Sequence, residues 1–177
     1  MTSTDDLMRL ALDLAGWVRT PSDCGIYYPG TAIKRLLVGL DISSGDLLIA
    51  KEMGFDAVLA HHFAGCEATL TAWQVYRRHT DLMVAMGVPH LDAEAAVEER
   101  VQELRMLAHT TNYNRTSGAA RLLEIPFLNI HSPLDELARQ AMQQAVDDLL
   151  QTEPDATVAE VAAHLNASIH EFQLAPT

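Results

Sequence analysis

Apolar positions recur at helical spacing over residues 5–19, where Leu7, Leu10, Ala11, Leu14 and Val18 share a side and Thr4 or Asp5 offers an N-cap. The chain is therefore expected to open with an amphipathic helix. Thr20-Pro21-Ser22-Asp23 and Pro29-Gly30 then bracket Cys24 to Tyr28, which reads as a turn-rich run. Leu36, Leu37, Val38 and Leu40 mark a buried strand within residues 33–41, and Ser43 or Ser44 caps a helix from Asp46 to Met53 that closes at Gly54. Asp56 to Ala60 is short and apolar, so residues 36–60 have the rhythm of a strand, helix and parallel strand.

The pattern turns helical from Ala68 to Met86 and, after Gly87 and Pro89, again from Leu91 to Leu107, with Met106-Leu107-Ala108 readable alternatively as a short strand. Acidic residues at the start of the second helix and Arg105 near its end oppose the helix dipole favourably. Ala119 to Leu123 predicts a further helix and Ile125 to Ile130 a third buried strand. Leu137, Ala138, Ala141, Met142, Ala145, Val146 and Leu149 line a helix over residues 134–150, and a last helix over 157–166 precedes an irregular tail. Alternating elements of this kind predict an α/β fold with a central mixed or parallel sheet flanked by helices. They are read as one domain over residues 1–177 with an enlarged helical middle at 68–124.

Composition narrows the function classes. The 177 residues are 49% hydrophobic and 20% charged, enough to build a core. The formal charge of −12 would repel a phosphate backbone, so nucleic acid is not expected as a partner. No apolar stretch reaches the roughly 20 residues that cross a bilayer, and the N-terminus with Asp5, Asp6 and Arg9 does not resemble a leader. A cytoplasmic protein is expected. Cys24 and Cys66 form no CxxC and are read as reduced, and the sequons at Asn114 and Asn166 as chance.

Eight histidines remain, and their placement matters. His61-His62 follows the second strand, at the carboxyl rim where open α/β sheets bind ligands. Adjacent residues on an extended backbone point apart, so the two imidazoles converge only if the strand has just ended. His131 follows the third strand, with Asp135 close behind in His131-Ser132-Pro133-Leu134-Asp135. Parallel strands would deliver both elements to one rim, and imidazole with carboxylate suits a divalent cation. The plainer readings are solvated histidines at 61 and 62, a backbone-bonded His131, and a helix-start carboxylate at Asp135 that favours the dipole by about 0.3–1 kcal/mol. His109, with Asn112 nearby, and His90, beside Asp92 and Glu94, are further candidates for a metal shell or a substrate contact. His79, His164 and His170 read as surface or helix-end residues. Cys66 could be a nucleophile or soft ligand, although a free buried cysteine is commoner. The sequence has no GxGxxG, no GxxxxGK[ST] and no GxSxG.

Leu37 to Asp41, then Gly54 to His62, then Ile130 to Asp135 resemble, in order, the landmarks of the Nif-three-like family, whose members are often labelled GTP cyclohydrolase 1 type 2 homologues. The resemblance covers roughly residues 25–150. It implies an α/β fold, two divalent metal ions per subunit and a homo-oligomer, often a hexamer. By this resemblance His61, His62 and Asp135 are metal ligands, with His131 in or next to the shell. The family usually adds a C-terminal His and Glu four residues apart, a pattern missing after Asp135; His170-Glu171 does not substitute. His90 with Glu94 has that spacing on the other side of Asp135. The sequence thus resembles a divergent branch ending before the usual second lobe.

The expected function is a metal-dependent hydrolase-like activity on a nucleotide or another small phosphorylated or cyclic compound, with His131 or His109 moving protons. The alternative is a metal-binding or regulatory oligomer without catalysis.

Overall fold

Ser3 accepts a hydrogen bond from the Asp6 amide while Asp6 accepts one from the Ser3 amide, and this reciprocal cap starts α1 (Thr4–Ala15). Such a cap is worth about 1 kcal/mol. Gly16, at φ +73°, ends the helix in the left-handed conformation that glycine adopts cheaply. The same device recurs at Ser43 and Asp46, which start α2 (Ser44–Glu52). Our computed structural model describes residues 1–169, and His170-Glu171 with the rest of the tail lie outside them.

The chain divides into two compact units, the first Met1–Leu134 and the second beginning at Asp135. The first holds a four-stranded mixed sheet of β1 (Gly25–Tyr28), β2 (Leu36–Gly39), β3 (Ala57–Ala60) and β4 (Phe127–Asn129), in the order β1-β4-β3-β2. The two apolar runs expected to pair in parallel do so, with Leu36 opposite Ala57 and Gly39 opposite Ala60. β4 adds in parallel on the other side of β3, placing Ala60 opposite Asn129. β1 runs antiparallel to β4, with Gly25 opposite Asn129. The run Cys24–Tyr28, expected as turn, is thus an edge strand from Gly25. Four residues were too few to show a period, but Tyr27 is buried and Tyr28 half-buried, as a strand requires.

Alternation along the strands fills two cores. Val58, Ala60, Phe127 and Tyr27 pack with Leu47 and Ala50 of α2 and with Ala120 of α6 (Arg115–Leu123) on one face. Leu128 and Ile130 pack with Met8, Ala11 and Leu12 of α1 on the other. Truncating a fully buried ring such as Phe127 would cost about 3–5 kcal/mol.

The middle segment is less regular than the sequence predicts. The helix expected over 68–86 is α3 (Cys66–Thr71), a 3₁₀ segment (Ala72–Arg77) and α4 (Arg78–Ala85). The break falls where Thr71 turns its hydroxyl back onto the Glu67 carbonyl at 2.8 Å and onto the Ser22 carbonyl at 3.0 Å, a local competitor to helix geometry. Residues 106–108, the alternative strand, belong to α5 (His90–Thr110), because Val97, Val101 and Ala108 are buried at helical spacing.

In the second unit, α7 (Ser132–Thr152), which starts at the end of the first, carries Asp135 in its first turn and an Arg139–Glu136 ion pair at 2.9 Å. Thr157 and Glu160 cap α8 (Val158–Ser168), which buries Ala162 and Leu165. Among the described residues, no helix is long and apolar enough to cross a membrane.

Candidate metal centre

Because β2, β3 and β4 are parallel, the residues that follow them emerge at one rim of the sheet. His61 and His62 donate backbone bonds to the Gly39 and Leu40 carbonyls, both at 2.9 Å, and the Ile130 amide reaches the Ala60 carbonyl at 3.1 Å. These bonds carry the pairing just past the strand ends and fix where the histidines sit. Regular extension stops at Ala60, so the adjacent rings of His61 and His62 turn to within 5.1 Å, centroid to centroid. His131 stacks on His61 at 4.7 Å and lies 5.6 Å from His62. One ring nitrogen from each of the three lies within 4.8 Å of the other two.

Two of these rings are held by carboxylates. His131 Nδ1 donates to Asp23 Oδ2 at 2.8 Å, and His62 Nδ1 to Asp41 Oδ1, also at 2.8 Å. With Nδ1 engaged, Nε2 is the nitrogen a cation would take, in the carboxylate–histidine–metal order that fixes tautomer and ring orientation. Asp23 is fully buried and also accepts from Ser132 Oγ at 2.5 Å. Burial works to raise its carboxyl, but the hydrogen bonds from His131 and Ser132 outweigh it and hold Asp23 below the usual carboxylate range. The donor set thus fits a divalent ion: three clustered imidazoles, two of them oriented by carboxylates, in a protein of net charge −12.

The antiparallel course of β1 brings Asp23 here, since Gly25 pairs with Asn129 at this same rim. Asn129, fully buried, donates from Nδ2 to the Asp23 carbonyl at 2.7 Å and to the His61 carbonyl at 3.3 Å. Tyr27 Oη donates to Asn129 Oδ1 at 2.7 Å and accepts from the Ala64 amide at 2.9 Å, tying down the loop after His62. That loop passes so close to α6 that a Cβ on Gly65 would stand 2.7 Å from the Oγ of buried Ser117. Only glycine fits there.

Of the expected site residues, His61, His62 and His131 converge, while Asp135 stands in the first turn of α7. His90 and His109 are exposed in the first and last turns of α5, ~28 Å apart along its axis, so they cannot share one ion. His90 Nδ1 comes to 4.0 Å from Glu94, a loose exposed pair. Cys66 opens α3 at φ +50°, accepts a bond from Arg121 Nη2 at 3.3 Å and faces a separate cavity of about 500 Å³. Asp23, Asn129 and Tyr27 were not foreseen as site residues.

No protein-family model matches the sequence, and no curated protein does. A solved structure does match: a NIF3 superfamily protein from Sphaerobacter thermophilus, 38% identical, with a TM-score of 0.91 over 93% of this chain. The chain belongs to the NIF3 superfamily. The resemblance read from the histidine doublet and the His131–Asp135 element therefore holds, as does the α/β fold it implied. This NIF3 chain spans 60% of the length of that relative.

Proposed function

We propose that this NIF3 protein is a metal-dependent hydrolase-like protein acting on a nucleotide or another small phosphorylated or cyclic compound. The convergence of three imidazoles, two of them bonded to carboxylates, is the observation that carries the reading. A divalent ion bound there would polarise a substrate oxygen and lower the pKa of a coordinated water.

His61, His62 and His131 are the proposed imidazole ligands, and Asp135 is the carboxylate ligand that the sequence resemblance assigns. Two ions per chain are proposed on the same resemblance. Asp23 keeps His131 protonated at Nδ1 and presents Nε2 to the cation, and Asp41 does the same for His62. Coordination withdraws His131 from proton transfer, so His109 is the acid–base residue carried forward from the sequence. The exposed apolar side chains of Leu48, Ile49 and Met53 support a homo-oligomer, to be measured by light scattering.

Elemental analysis of the purified protein should give about two divalent ions per chain, and screening with Mn²⁺, Zn²⁺, Fe²⁺ or Mg²⁺ against nucleotides and phosphoesters should give turnover. His62→Ala and Asp135→Ala should lose both metal and turnover, and His109→Ala turnover alone. Metal without turnover on any of these substrates would leave a non-catalytic metal protein, and protein free of metal after supplementation would end the reading altogether.

A further inference from the structure

His131 belongs to two surroundings. One side of its ring faces the histidine cluster, and it also lines a cavity of about 390 Å³ formed largely by the helical middle segment. The other walls come from Phe63, Trp73, Tyr76, Leu104 and Leu107. Phe63 meets His131 edge-on at 6.1 Å, and it follows His62 directly in the chain, so the cavity and the histidine doublet share a wall.

The chemistry of this cavity is apolar. Trp73 spends its indole N–H on the Leu70 carbonyl at 3.0 Å, leaving ring surface, and Arg105 lies over that ring at 5.6 Å. Arg100, also in the lining, is matched by Glu103 at 2.5 Å and by the Tyr76 hydroxyl, so its charge is already answered. A second anionic group would meet a protein of net charge −12 there. The volume lies within the range of small-molecule sites, and a cavity of about 150 Å³ already holds benzene, so one or two fused rings fit.

Resting on the metal-centre reading, we infer that this cavity receives an uncharged, ring-bearing part of the substrate while the metal-binding oxygen of the same molecule lies at the histidine cluster. The substrate class is then a compound that joins a carbonyl or phosphoryl oxygen to a neutral one- or two-ring group. The middle segment is what selects it.

The cavity can be tested with and without metal. In metal-free protein, 2-naphthol should bind saturably by calorimetry, and Leu104→Phe, which adds bulk to the cavity wall, or Leu107→Asp, which makes an exposed wall polar, should weaken that binding about tenfold or more. In Co²⁺-loaded protein, naphthohydroxamate should bind about tenfold or more tightly than acetohydroxamate, and the two variants should erase that advantage while leaving Co²⁺ affinity unchanged. Absence of 2-naphthol binding, binding untouched by both variants, or equal affinity for the two hydroxamates would overturn the cavity assignment and leave the metal reading in place. Failure to load Co²⁺ would instead strike the metal reading, and the 2-naphthol measurements would still decide the cavity.

Discussion

Tyr27 and Asn129, on neighbouring strands and 102 residues apart in sequence, share a hydrogen bond of 2.7 Å at the rim of the sheet. Through it the Asn129 amide is oriented to hold the Asp23 and His61 carbonyls, while the phenol oxygen takes the Ala64 amide. One hydroxyl thus links the strand that carries Asp23, the strand that leads to His131 and the loop after His62. Burial pushes the phenol pKa up, which keeps the donor proton in place.

Tyr27→Phe should therefore act beyond its own hydrogen bond. It strands Asn129 Oδ1 in a buried setting and leaves the Ala64 amide to find water, a combined loss of about 2–3 kcal/mol. Denaturant unfolding should show the loss at unchanged fold, and metal titration should show weaker binding because His61 and Asp23 are held less firmly. A variant with wild-type stability would show that the link contributes no net stability.

Asp23→Asn tests the orientation of His131 separately from its presence. The asparagine can donate to Nδ1, which favours the opposite tautomer and places the proton on Nε2, where a cation would sit. Affinity for Zn²⁺ or Co²⁺ should fall about 10–100-fold by calorimetry, as for other carboxylates behind a ligating histidine. Unaltered affinity would mean that His131 binds through another nitrogen or not at all. Ser132→Ala, which keeps the carboxylate and removes only its second hydrogen bond at 2.5 Å, should have a smaller effect.

These partners mark the limit of what the sequence disclosed. The parallel pairing of β2, β3 and β4 was legible because Leu36–Leu40, Ala57–Ala60 and Phe127–Ile130 are short, largely apolar runs followed by Asp41, His61 and His131, and that pairing alone brings His61, His62 and His131 together. Asp23 was hidden because its role depends on the direction of β1, whose four residues show no period and whose partner lies a hundred positions away. The break at Thr71 was hidden for a related reason: the Ser22 carbonyl that receives its hydroxyl is 49 residues distant. Local pattern gave elements, whereas the orienting contacts are all long-range.

Glu124 offers a stability test remote from the histidines. It ends α6 at φ +50°, ψ +43°, a left-handed conformation in which a Cβ crowds the following carbonyl. Its amide caps the helix through the Ala120 and Arg121 carbonyls, and the side chain contributes nothing to that. Glu124→Gly should relieve the crowding at some cost in unfolded-chain entropy, for a net gain of about 0.5–1 kcal/mol. Thermal unfolding should move upward, with metal binding unchanged; a lower midpoint would show that the glutamate side chain makes a stabilising contact after all.

Cys24 gives the last expectation a sign as well as a direction. Burial first, and then the neighbouring Asp23 charge, push its thiol up to about 12, although it accepts the His131 amide at 3.2 Å. In the unfolded chain the same thiol ionises near its ordinary value of 9.0. Between those two values the unfolded chain releases a proton that the folded chain keeps, so stability present below pH 9 must be lost as pH rises toward 12. The slope is at most about 1.4 kcal/mol per pH unit from this one group. Metal-free protein should accordingly unfold at lower denaturant at pH 10 than at pH 8, and Cys24→Ala should flatten that dependence even if it lowers the stability at pH 8. Iodoacetamide at pH 8 should leave Cys24 unmodified in the folded protein and label it after unfolding, since the thiolate is the attacking form. Rapid labelling of Cys24 in the native state, or an alkaline slope that survives Cys24→Ala unchanged, would contradict the burial that places this thiol behind His131.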